Sequence, residues 1–354
     1  MEAVILAGGL GSRLWPLTTR RPKPLLPVAG VPFVAHQVAK LAAAGVDHVV
    51  LATSYRATDF APVLGDGASV GLRINYVTES EPLGTGGGLR HASTALCAGP
   101  DEPVVVLNGD QLSGHDLAAQ VTHLERTGAE GSLHLVEVPD ATAFGCVPTD
   151  DADRVTAFVE KSPRPVTRQI NAGCYVLRRR LIDAIPAGRV VSIERETFPD
   201  LLGAGRVLVG YREPAYWRDV GTPQALVEAS RDVVRGVATS PAYSRPPAER
   251  LIGDASVADC ELVRGGSAIG PNARVEAEAV VDGSVVMAGA LIGKGAQIVD
   301  SVVGSGARVG ARTTVRGAAI GDGATVGAEC ELLDGVRIGC DAVIADASIR
   351  FTPA

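Results

Sequence analysis

The chain begins with the stretch MEAVILAGGLGSR (residues 1–13), and this run decides the fold of the first half. Val4-Ile5-Leu6 is short and uniformly apolar, as expected of a strand buried on both faces of a parallel sheet. The chain becomes glycine-rich directly after Leu6, and glycines allow backbone N–H groups to converge on phosphate oxygens without a Cβ in the way. The run has neither the GKS or GKT of a Walker A loop nor the GxGxxG spacing of a dinucleotide fold. It therefore predicts a phosphate-binding turn of another kind at a strand end.

Beyond this run, strand and helix patterns alternate. Apolar runs predict strands over residues 48–51, 74–77 and 104–107, and apolar residues at helical spacing predict helices over 32–44, 89–96 and 223–234. Such alternation is typical of an α/β fold with a doubly wound, mostly parallel, Rossmann-like sheet. Ligands of these sheets bind beyond the carboxyl ends of the strands, and the glycine run is expected to lie at such an end.

The C-terminal part of the chain has a different period. Aliphatic residues recur there at spacings of six with an occasional five, at Ile269, Val275, Val281, Val286, Ile292, Ile298, Val303, Val309, Val315, Ile320, Val326, Leu332, Ile338, Ile344 and Ile349. A helix would need a period of 3.6 and an alternating strand a period of 2. The six-residue step instead predicts a left-handed parallel β-helix built from hexapeptide repeats.

The two patterns divide the chain into a catalytic domain over residues 1–235, a linker over 236–250 and a hexapeptide-repeat domain over 251–354. The linker, GVATSPAYSRPPAER, has three prolines and no period. Because the β-helix carries no cluster of chemically reactive residues, its predicted role is self-association into a homo-oligomer. A fragment ending near Val234 is expected to retain activity.

Composition excludes several classes of protein. The formal net charge of the 354 residues is −7, which argues against nucleic acid or an anionic membrane as the main partner. The N-terminus lacks the basic region of a signal peptide, and no apolar run approaches the roughly 20 residues of a membrane span. The six cysteines are scattered without a CxxC pair, so we expect reduced thiols in a cytoplasmic protein.

Four charged residues are the candidates for chemistry. Arg13 can fork onto a phosphate group, and Lys23 can supply a second positive charge. Asp110 follows a predicted strand and an Asn-Gly turn, and Asp219 lies in the run Trp217–Thr222. Either aspartate alone could be a helix N-cap. Two carboxylates at one phosphate site would instead hold Mg²⁺, which prefers oxygen ligands.

The run GGLGSRLWPLTTRRPKPLLPVAG (residues 8–30) resembles the signature of the sugar nucleotidyltransferase superfamily. Ser12 stands where the family usually has Thr and keeps the hydroxyl, whereas Trp15 stands where actinobacterial relatives often have Arg. Further segments are similar to family motifs, namely residues 81–87, 107–110, 144–145, 160–161, 171–173, 191–196 and 217–223. With the hexapeptide domain, this resembles the architecture of actinobacterial mannose-1-phosphate guanylyltransferases.

The resemblance implies a role for each matching residue. The nucleotide-binding set is Leu6, Ala7, Gly8, Gly9, Gly11, Ser12, Arg13, Lys23, Glu81, Pro82, Gly84, Thr85 and Asn108. The set that binds the sugar phosphate is Gly145, Glu160, Lys161, Asn171, Gly173 and Glu194. Asp110 and Asp219 are the implied Mg²⁺ ligands, and GTP with mannose 1-phosphate is the implied substrate pair.

The predicted reaction is a single displacement at the α-phosphorus of an NTP. The second pKa of a phosphate monoester is near 6, so the attacking oxygen is already ionised at neutral pH and no general base is needed. The protein must hold two anions in line and neutralise the leaving pyrophosphate. Arg13, Lys23 and the metal would supply that charge, and Lys161 would orient the attacking phosphate.

Three alternatives remain open at this stage. The acceptor could be a heptose or cyclitol phosphate with the same chemistry. The chain could instead be a non-catalytic regulatory homologue that binds a nucleotide sugar, although Arg13, Lys23, Asp110 and Asp219 are all present. A hexapeptide acyltransferase is disfavoured because no histidine follows His134.

Overall fold

The computed structural model describes residues 1–349. Packing divides the chain into two compact units that differ from the predicted domain boundaries. The first unit comprises Met1–Gly9 and Gln37–Trp217, and the second comprises Leu10–His36 and the chain from Arg218 onward. Residues 236–249 of the predicted linker form neither helix nor strand, and the first β-helix strand begins at Arg250. The segment Leu10–His36 therefore groups with the β-helix, although it adjoins the first strand in sequence.

The first unit is built on a nine-stranded sheet. Its main path runs in the spatial order Val159–Glu160, Gly145–Cys146, Gln169–Arg178, Pro103–Asn108, Glu2–Leu6, His48–Thr53 and Arg73–Thr78, while Gly131–Glu137 pairs with both Gln169–Arg178 and Leu208–Arg212. The four strands from Pro103–Asn108 to Arg73–Thr78 are parallel. The predicted doubly wound α/β sheet is confirmed.

Two strands depart from the parallel pattern, Gln169–Arg178 and the short Val159–Glu160, which is antiparallel to Gly145–Cys146. Gln169–Arg178 runs antiparallel to its neighbours on both sides, and its register shifts between Asn171 and Tyr175. Strand Arg73–Thr78 lies at the edge of the sheet and exposes three of its residues, whereas the other three parallel strands are largely buried, with Val4, Val50 and Val106 at 0% exposure. Their uniformly apolar sequences are what a sheet covered on both faces requires.

Helices connect and cover these strands. Those of the described chain up to Trp217 are Phe33–Ala43, Ala61–Leu64, Gly84–Ala92, Leu117–Thr127, Arg179–Asp183 and Phe198–Gly203, with a π-helix over Ile193–Thr197 and 3₁₀ turns at Ser12–Leu14, Lys23–Leu25, Ala57–Asp59, Ala68–Val70 and Ser93–Ala95. Short strands cover Pro27–Val28, Val31–Pro32, Gln111–Ser113 and Trp217–Asp219. The helix predicted over residues 89–96 instead covers Gly84–Ala92 and is followed by the 3₁₀ turn Ser93–Ala95. Four of its first five residues are glycines despite their low helix propensity, and a Cβ at Gly84 or Gly87 would lie 2.6 Å from a backbone carbonyl oxygen.

The second unit contains helix Pro223–Val234 and a parallel β-helix of three sheets. The strands of the first sheet are Arg250–Ile252, Ser267–Ile269, Val285–Val286, Val302–Val303, Ala319–Ile320 and Arg337–Ile338. Those of the second are Ser256–Val257, Arg274–Val275, Leu291–Ile292, Arg308–Val309, Thr325–Val326 and Val343–Ile344. Those of the third are Val263–Arg264, Val280–Asp282, Gln297–Val299, Thr314–Arg316 and Glu331–Leu332. A 3₁₀ turn covers Cys260–Leu262.

The aliphatic residues of the six-residue pattern fill the interior of this β-helix. All of those from Ile269 to Ile338 are buried in one cluster, and Ile344 and Ile349 pack against it. Register pairs Val286 with Val303 and Val303 with Ile320, so equivalent positions of successive coils stack directly. Each coil buries its aliphatic residues against the next, which stabilises the stack. The architecture agrees with the predicted left-handed parallel β-helix.

None of the helices in residues 1–349 is both long enough and apolar enough to cross a membrane.

Candidate functional site

The glycine run after Leu6 and the turn before Asp110 lie at the ends of two neighbouring parallel strands. Leu6 pairs in register with Asn108, and the N–H of Gly109 donates to the carbonyl oxygen of Leu6 at 2.9 Å. A Cβ on Gly109 would lie 2.5 Å from that oxygen, so the turn tolerates no side chain. The glycine run after Leu6 and the turn that leads to Asp110 therefore lie side by side at the carboxyl edge of the sheet.

Two polar residues that sequence reasoning missed support the glycine run. The hydroxyl of Ser54 donates to the carbonyl oxygen of Gly8 at 2.5 Å. The carboxylate of Glu79 accepts from the N–H of Leu83 at 3.1 Å and lies 3.8 Å from the position of a Cβ on Gly8. Burial raises the pKa of Glu79. Ser54 directly follows strand His48–Thr53 and Glu79 directly follows strand Arg73–Thr78, and that position at a parallel strand end is the signal that could have revealed them.

The segment 81–87, which contains predicted nucleotide-binding residues, forms a loop and then a helix. Glu81 and Pro82 are exposed, and the helix Gly84–Ala92 follows. A Cβ on Gly84 would lie 2.6 Å from the carbonyl oxygen of Val191, and one on Gly88 would lie 2.3 Å from the Glu79 carboxylate. Gly84 and Gly88 thus allow the helix to pack closely against the Val191 backbone and the Glu79 side chain.

Thr85 links this helix to the acidic residue predicted to bind the sugar. Its hydroxyl donates to the Glu194 carboxylate at 2.8 Å and accepts from the N–H of Ile193 at 2.9 Å. The hydroxyl of Ser192 donates to the same Glu194 oxygen at 3.0 Å. The structure therefore brings a predicted nucleotide residue and a predicted sugar residue together, and fixes Glu194 by two hydroxyl groups.

A second carboxylate faces Glu194. Burial raises the pKa of Glu160, and the negative charge of Glu194 raises it further, whereas Lys161 lowers it. The Nζ atom of Lys161 lies 3.6 Å from the Glu160 carboxylate, and its side chain is 60% exposed. A Cβ on Gly145 would lie 2.6 Å from Glu160, which explains a glycine on the facing strand. The arrangement offers two hydroxyl-binding carboxylates beside one accessible ammonium group.

Asn171 and Gly173 form the irregular part of the antiparallel strand. The side-chain amide of Asn171 donates to the Tyr175 hydroxyl at 2.7 Å, and its oxygen accepts from the N–H of Gly173 at 3.0 Å. Gly173 has a φ of +74°, and a Cβ there would lie 2.8 Å from Gln111 and 3.0 Å from Asn108. The bulge therefore presses against both residues that flank the Asp110 turn.

Helix Phe33–Ala43 fixes the backbone on both sides of Asp110. The side-chain amide of the buried Gln37 donates to the carbonyl oxygens of Asn108 at 2.8 Å and Gln111 at 3.2 Å. The amide of Gln111 donates to the Asp110 carboxylate at 3.0 Å. Within residues 1–349, the side-chain oxygens of Asn108 and Gln111 are buried without a hydrogen-bond partner. Buried polar atoms normally have a partner, which can be a bound ion or water.

These oxygens suit a hard cation at the Asp110 turn. Carboxylate and amide oxygens are the ligands that Mg²⁺ prefers, and Mg²⁺ at phosphate sites needs only one or two protein carboxylates. Among the described residues, no three His, Cys, Asp or Glu side chains are grouped as a metal site. The donor set thus fits a metal that arrives with nucleotide phosphates.

The second unit holds Arg13, Lys23 and Asp219. The guanidinium of Arg13 lies 3.6 Å from the Asp219 carboxylate and is 65% exposed, whereas Asp219 is 19% exposed. A Cβ on Gly221 would lie 2.6 Å from the guanidinium, so Gly221 makes room for this pair. Lys23 packs its aliphatic stem 3.0 Å from the position of a Cβ on Gly11. Asp219, predicted as a metal ligand, therefore forms an ion pair with the predicted phosphate-binding arginine.

A buried titratable cluster lies behind strand Gln111–Ser113. The Lys40 ammonium donates to the carbonyl oxygen of Ser113 at 2.8 Å and lies 3.0 Å from a ring nitrogen of His115. Burial lowers the pKa of Lys40 to about 8 and that of His115 to about 2. Burial also raises the pKa of the Cys174 thiol to about 12, which disfavours a thiolate nucleophile at neutral pH.

The family model described as nucleotidyl transferase matches residues 2–236. The chain belongs to this nucleotidyl transferase family, and the enzyme class is that of a nucleotidyltransferase.

Among curated proteins, the chain is similar to the mannose-1-phosphate guanylyltransferase of Mycobacterium tuberculosis. The two are 50% identical over 277 residues, which are 78% of this chain and 76% of that protein. It is 35% identical to mannose-1-phosphate guanylyltransferase 1 of Arabidopsis thaliana over 78% of this chain and 76% of the relative. Among solved structures, HddC from Yersinia pseudotuberculosis complexed with GMP-PN is 29% identical with a TM-score of 0.56, covering 65% of this chain and 98% of that one.

Proposed function

We propose that the protein transfers GMP from GTP to mannose 1-phosphate and releases GDP-mannose and pyrophosphate. The observation that carries this proposal is the 50% identity to a mannose-1-phosphate guanylyltransferase over three quarters of both chains. The residues at the carboxyl edge of the sheet support it, because they supply the groups that a nucleotide and a hexose phosphate need. A solved relative named with GMP-PN further favours a guanine nucleotide.

The nucleotide is the partner proposed for the glycine run and its neighbours. Backbone N–H groups of Gly8 and Gly9 would approach the phosphates, where glycine leaves room. Arg13 and Lys23 would bind phosphate oxygens and stabilise the charge that develops on the leaving pyrophosphate. When GTP binds, its phosphates would compete with Asp219 for the Arg13 guanidinium.

Mannose 1-phosphate is the partner proposed for the second group. Glu194 is held by two hydroxyl groups and would accept hydrogen bonds from sugar hydroxyls. Glu160 and Asn171 would bind the sugar in the same way, and the exposed ammonium of Lys161 would hold the phosphate. Since the attacking phosphate oxygen is already ionised, these residues orient it and remove no proton.

Asp110 and Asp219 are the carboxylates proposed to bind Mg²⁺. When bound, the metal would neutralise charge on the transferred nucleotide. The fit rests on the oxygen donors at the Asp110 turn, including the buried amide oxygens of Asn108 and Gln111. The role of Asp219 rests on the family motif. The Asp110 turn is held in place by Gln37, whose side-chain amide donates to the carbonyl oxygens of Asn108 and Gln111.

A matrix of GTP, ATP, UTP and dTTP against mannose, glucose, heptose and cyclitol phosphates tests this proposal, with pyrophosphate release as the readout. We expect GTP with mannose 1-phosphate to give the highest kcat/KM. Another pair that exceeds it tenfold would overturn the substrate assignment and keep the reaction class. If no pair reacts while nucleotide sugar binds, the chain is a regulatory homologue.

Homo-oligomerisation through the β-helix and a cytoplasmic location stay predictions. Light scattering at micromolar concentration tests the first, and a monomer would contradict it.

A further inference from the structure

One corner of the last β-helix coils contacts the segment Leu10–His36. The guanidinium of Arg21 lies 2.6 Å from the Asp322 carboxylate and donates to the Ser305 hydroxyl at 3.0 Å. The carboxylate of Asp322 also accepts from the N–H of Ser305 at 2.8 Å. Asp322 is 4% exposed, so the carboxylate of this ion pair is shielded from solvent. These contacts anchor the segment to two successive coils.

The next coil contacts the residues around Arg13 directly. The Arg337 guanidinium donates to the carbonyl oxygens of Arg13 at 2.9 Å and Trp15 at 3.1 Å. A Cβ on Gly339 would lie 3.6 Å from the Trp15 ring, and Arg20 forms an ion pair with Asp341. One arginine of the β-helix therefore binds a carbonyl oxygen within the 3₁₀ turn that carries Arg13 and another directly after that turn.

We propose that the β-helix positions Arg13 for nucleotide binding, with Arg337 as the positioning residue. The inference rests on the proposed function, because Arg13 is the residue proposed to bind the GTP phosphates. A guanidinium offers several donors in a fixed plane, so it can bind two carbonyl oxygens at once and restrict the backbone between them. Arg13 is 65% exposed and forms an ion pair with Asp219, so its backbone also contributes to where the guanidinium lies.

This role differs from the assembly role that the repeat pattern predicted. It also changes the expectation for a fragment ending near Val234. That fragment would keep Arg13 and lose Arg337, Asp322 and Asp341, so the segment Leu10–His36 would lose its charged partners on the β-helix. We therefore expect the fragment to lose most of its nucleotidyl transfer.

The variant Arg337→Met tests the proposal in the full-length protein. It removes both hydrogen bonds and the charge, and keeps a flexible, unbranched side chain. We expect kcat/KM for GTP to fall about 10-fold or more, because small misplacements of a charged group are costly in catalysis. The KM for mannose 1-phosphate should change less than about 2-fold, since Lys161, Asn171 and Glu194 are untouched. Arg337→Lys, which keeps a donor and the charge, should recover part of the loss.

Arg308→Met is the matched control. Arg308 is exposed and begins the strand Arg308–Val309 as Arg337 begins Arg337–Ile338, but it lies on a different sheet of the β-helix. We expect wild-type kinetics from this control. Equal losses in the two variants, or unchanged kinetics of Arg337→Met in an active protein, would overturn the proposal. A lowered Tm of Arg337→Met, together with equal losses of kcat/KM for GTP and for mannose 1-phosphate, would also overturn the proposal.

Amide hydrogen exchange keeps the inference separate from the proposed function. The N–H groups of Leu14 and Trp15 donate within the turn, to Gly11 and Ser12. Arg337→Met should raise exchange in peptides from residues 10–36, whatever substrate the enzyme uses. Unchanged exchange there would refute positioning. A wild-type protein that transfers no nucleotide would refute the proposed function instead, and the exchange result would still decide whether Arg337 restrains the turn.

Discussion

Gly173→Ala would perturb the contact between the strand bulge and the Asp110 turn. Gly173 has a φ of +74°, and a Cβ there would lie 2.8 Å from Gln111 and 3.0 Å from Asn108. Those two residues flank Asp110, so a methyl group at position 173 would displace them and with them the turn of the proposed metal site. The substitution combines backbone strain with a steric clash, and a second variant can separate the two.

The magnitude follows from these two components. A residue other than glycine in the left-handed region costs about 1–2 kcal/mol. Overpacking a well-packed region by a methyl group costs about 1–3 kcal/mol more, so the free energy of unfolding should fall by about 2–5 kcal/mol in total. Gly188 has a φ of +71° and nothing within 4 Å of its Cβ position, so Gly188→Ala should cost the backbone component alone.

Thermal unfolding and steady-state kinetics of both variants provide the assay. At roughly 2–4 °C per kcal/mol, the Tm of Gly173→Ala should lie about 2–12 °C below that of Gly188→Ala. The kcat of Gly173→Ala should fall by about 10-fold, because a displaced Asn108 shifts the turn. Gly188→Ala should keep wild-type kcat. Equal Tm values and equal kcat for the two variants would refute the rigid contact between the bulge and the turn.

Three further predictions concern the proposed metal ligands and two polar residues of helix Phe33–Ala43, Gln37 and Lys40. Asp110→Asn and Asp219→Asn should each lower kcat by on the order of 10³ at saturating Mg²⁺, and near-normal turnover of both would rule out their assignment as metal ligands. Gln37→Met should raise the Mg²⁺ concentration for half-maximal rate by about 10-fold, because residues that orient a metal-binding turn typically contribute 10–100-fold; an unchanged Mg²⁺ dependence would contradict this role. Burial lowers the pKa of Lys40 to about 8, so the unfolded chain binds more protons than the native one above that pH. The unfolding free energy of the wild type should therefore rise by about 1 kcal/mol from pH 7.5 to 9 relative to Lys40→Met. Urea unfolding at each pH measures this difference, and an equal change with pH in the two proteins would contradict it.

Periodicity alone predicted the two architectures of this protein. Uniformly apolar runs such as Val4–Leu6, alternating with helical patterns, are typical of a doubly covered parallel sheet, and a step of six is typical of the coils of a β-helix. These patterns can be read from short stretches of sequence, because residues at equivalent positions of a repeating backbone are buried to the same extent. The strand ends that carry Gly8 and Asp110 followed from the same patterns.

Contacts between distant parts of the chain could not be predicted in this way. Ser54 binds the glycine run, Gln37 holds the Asp110 turn, and Arg337 binds the backbone beside Arg13 across 324 residues. The hexapeptide pattern fixes which side chains point inward, but it places no constraint on the outward-facing ones. The sequence by itself therefore determined the folds and the candidate chemical groups, whereas only the tertiary structure decided that the β-helix holds the segment carrying Arg13. The physical reason is that hydrogen bonds between residues far apart in sequence depend on how the folded elements pack.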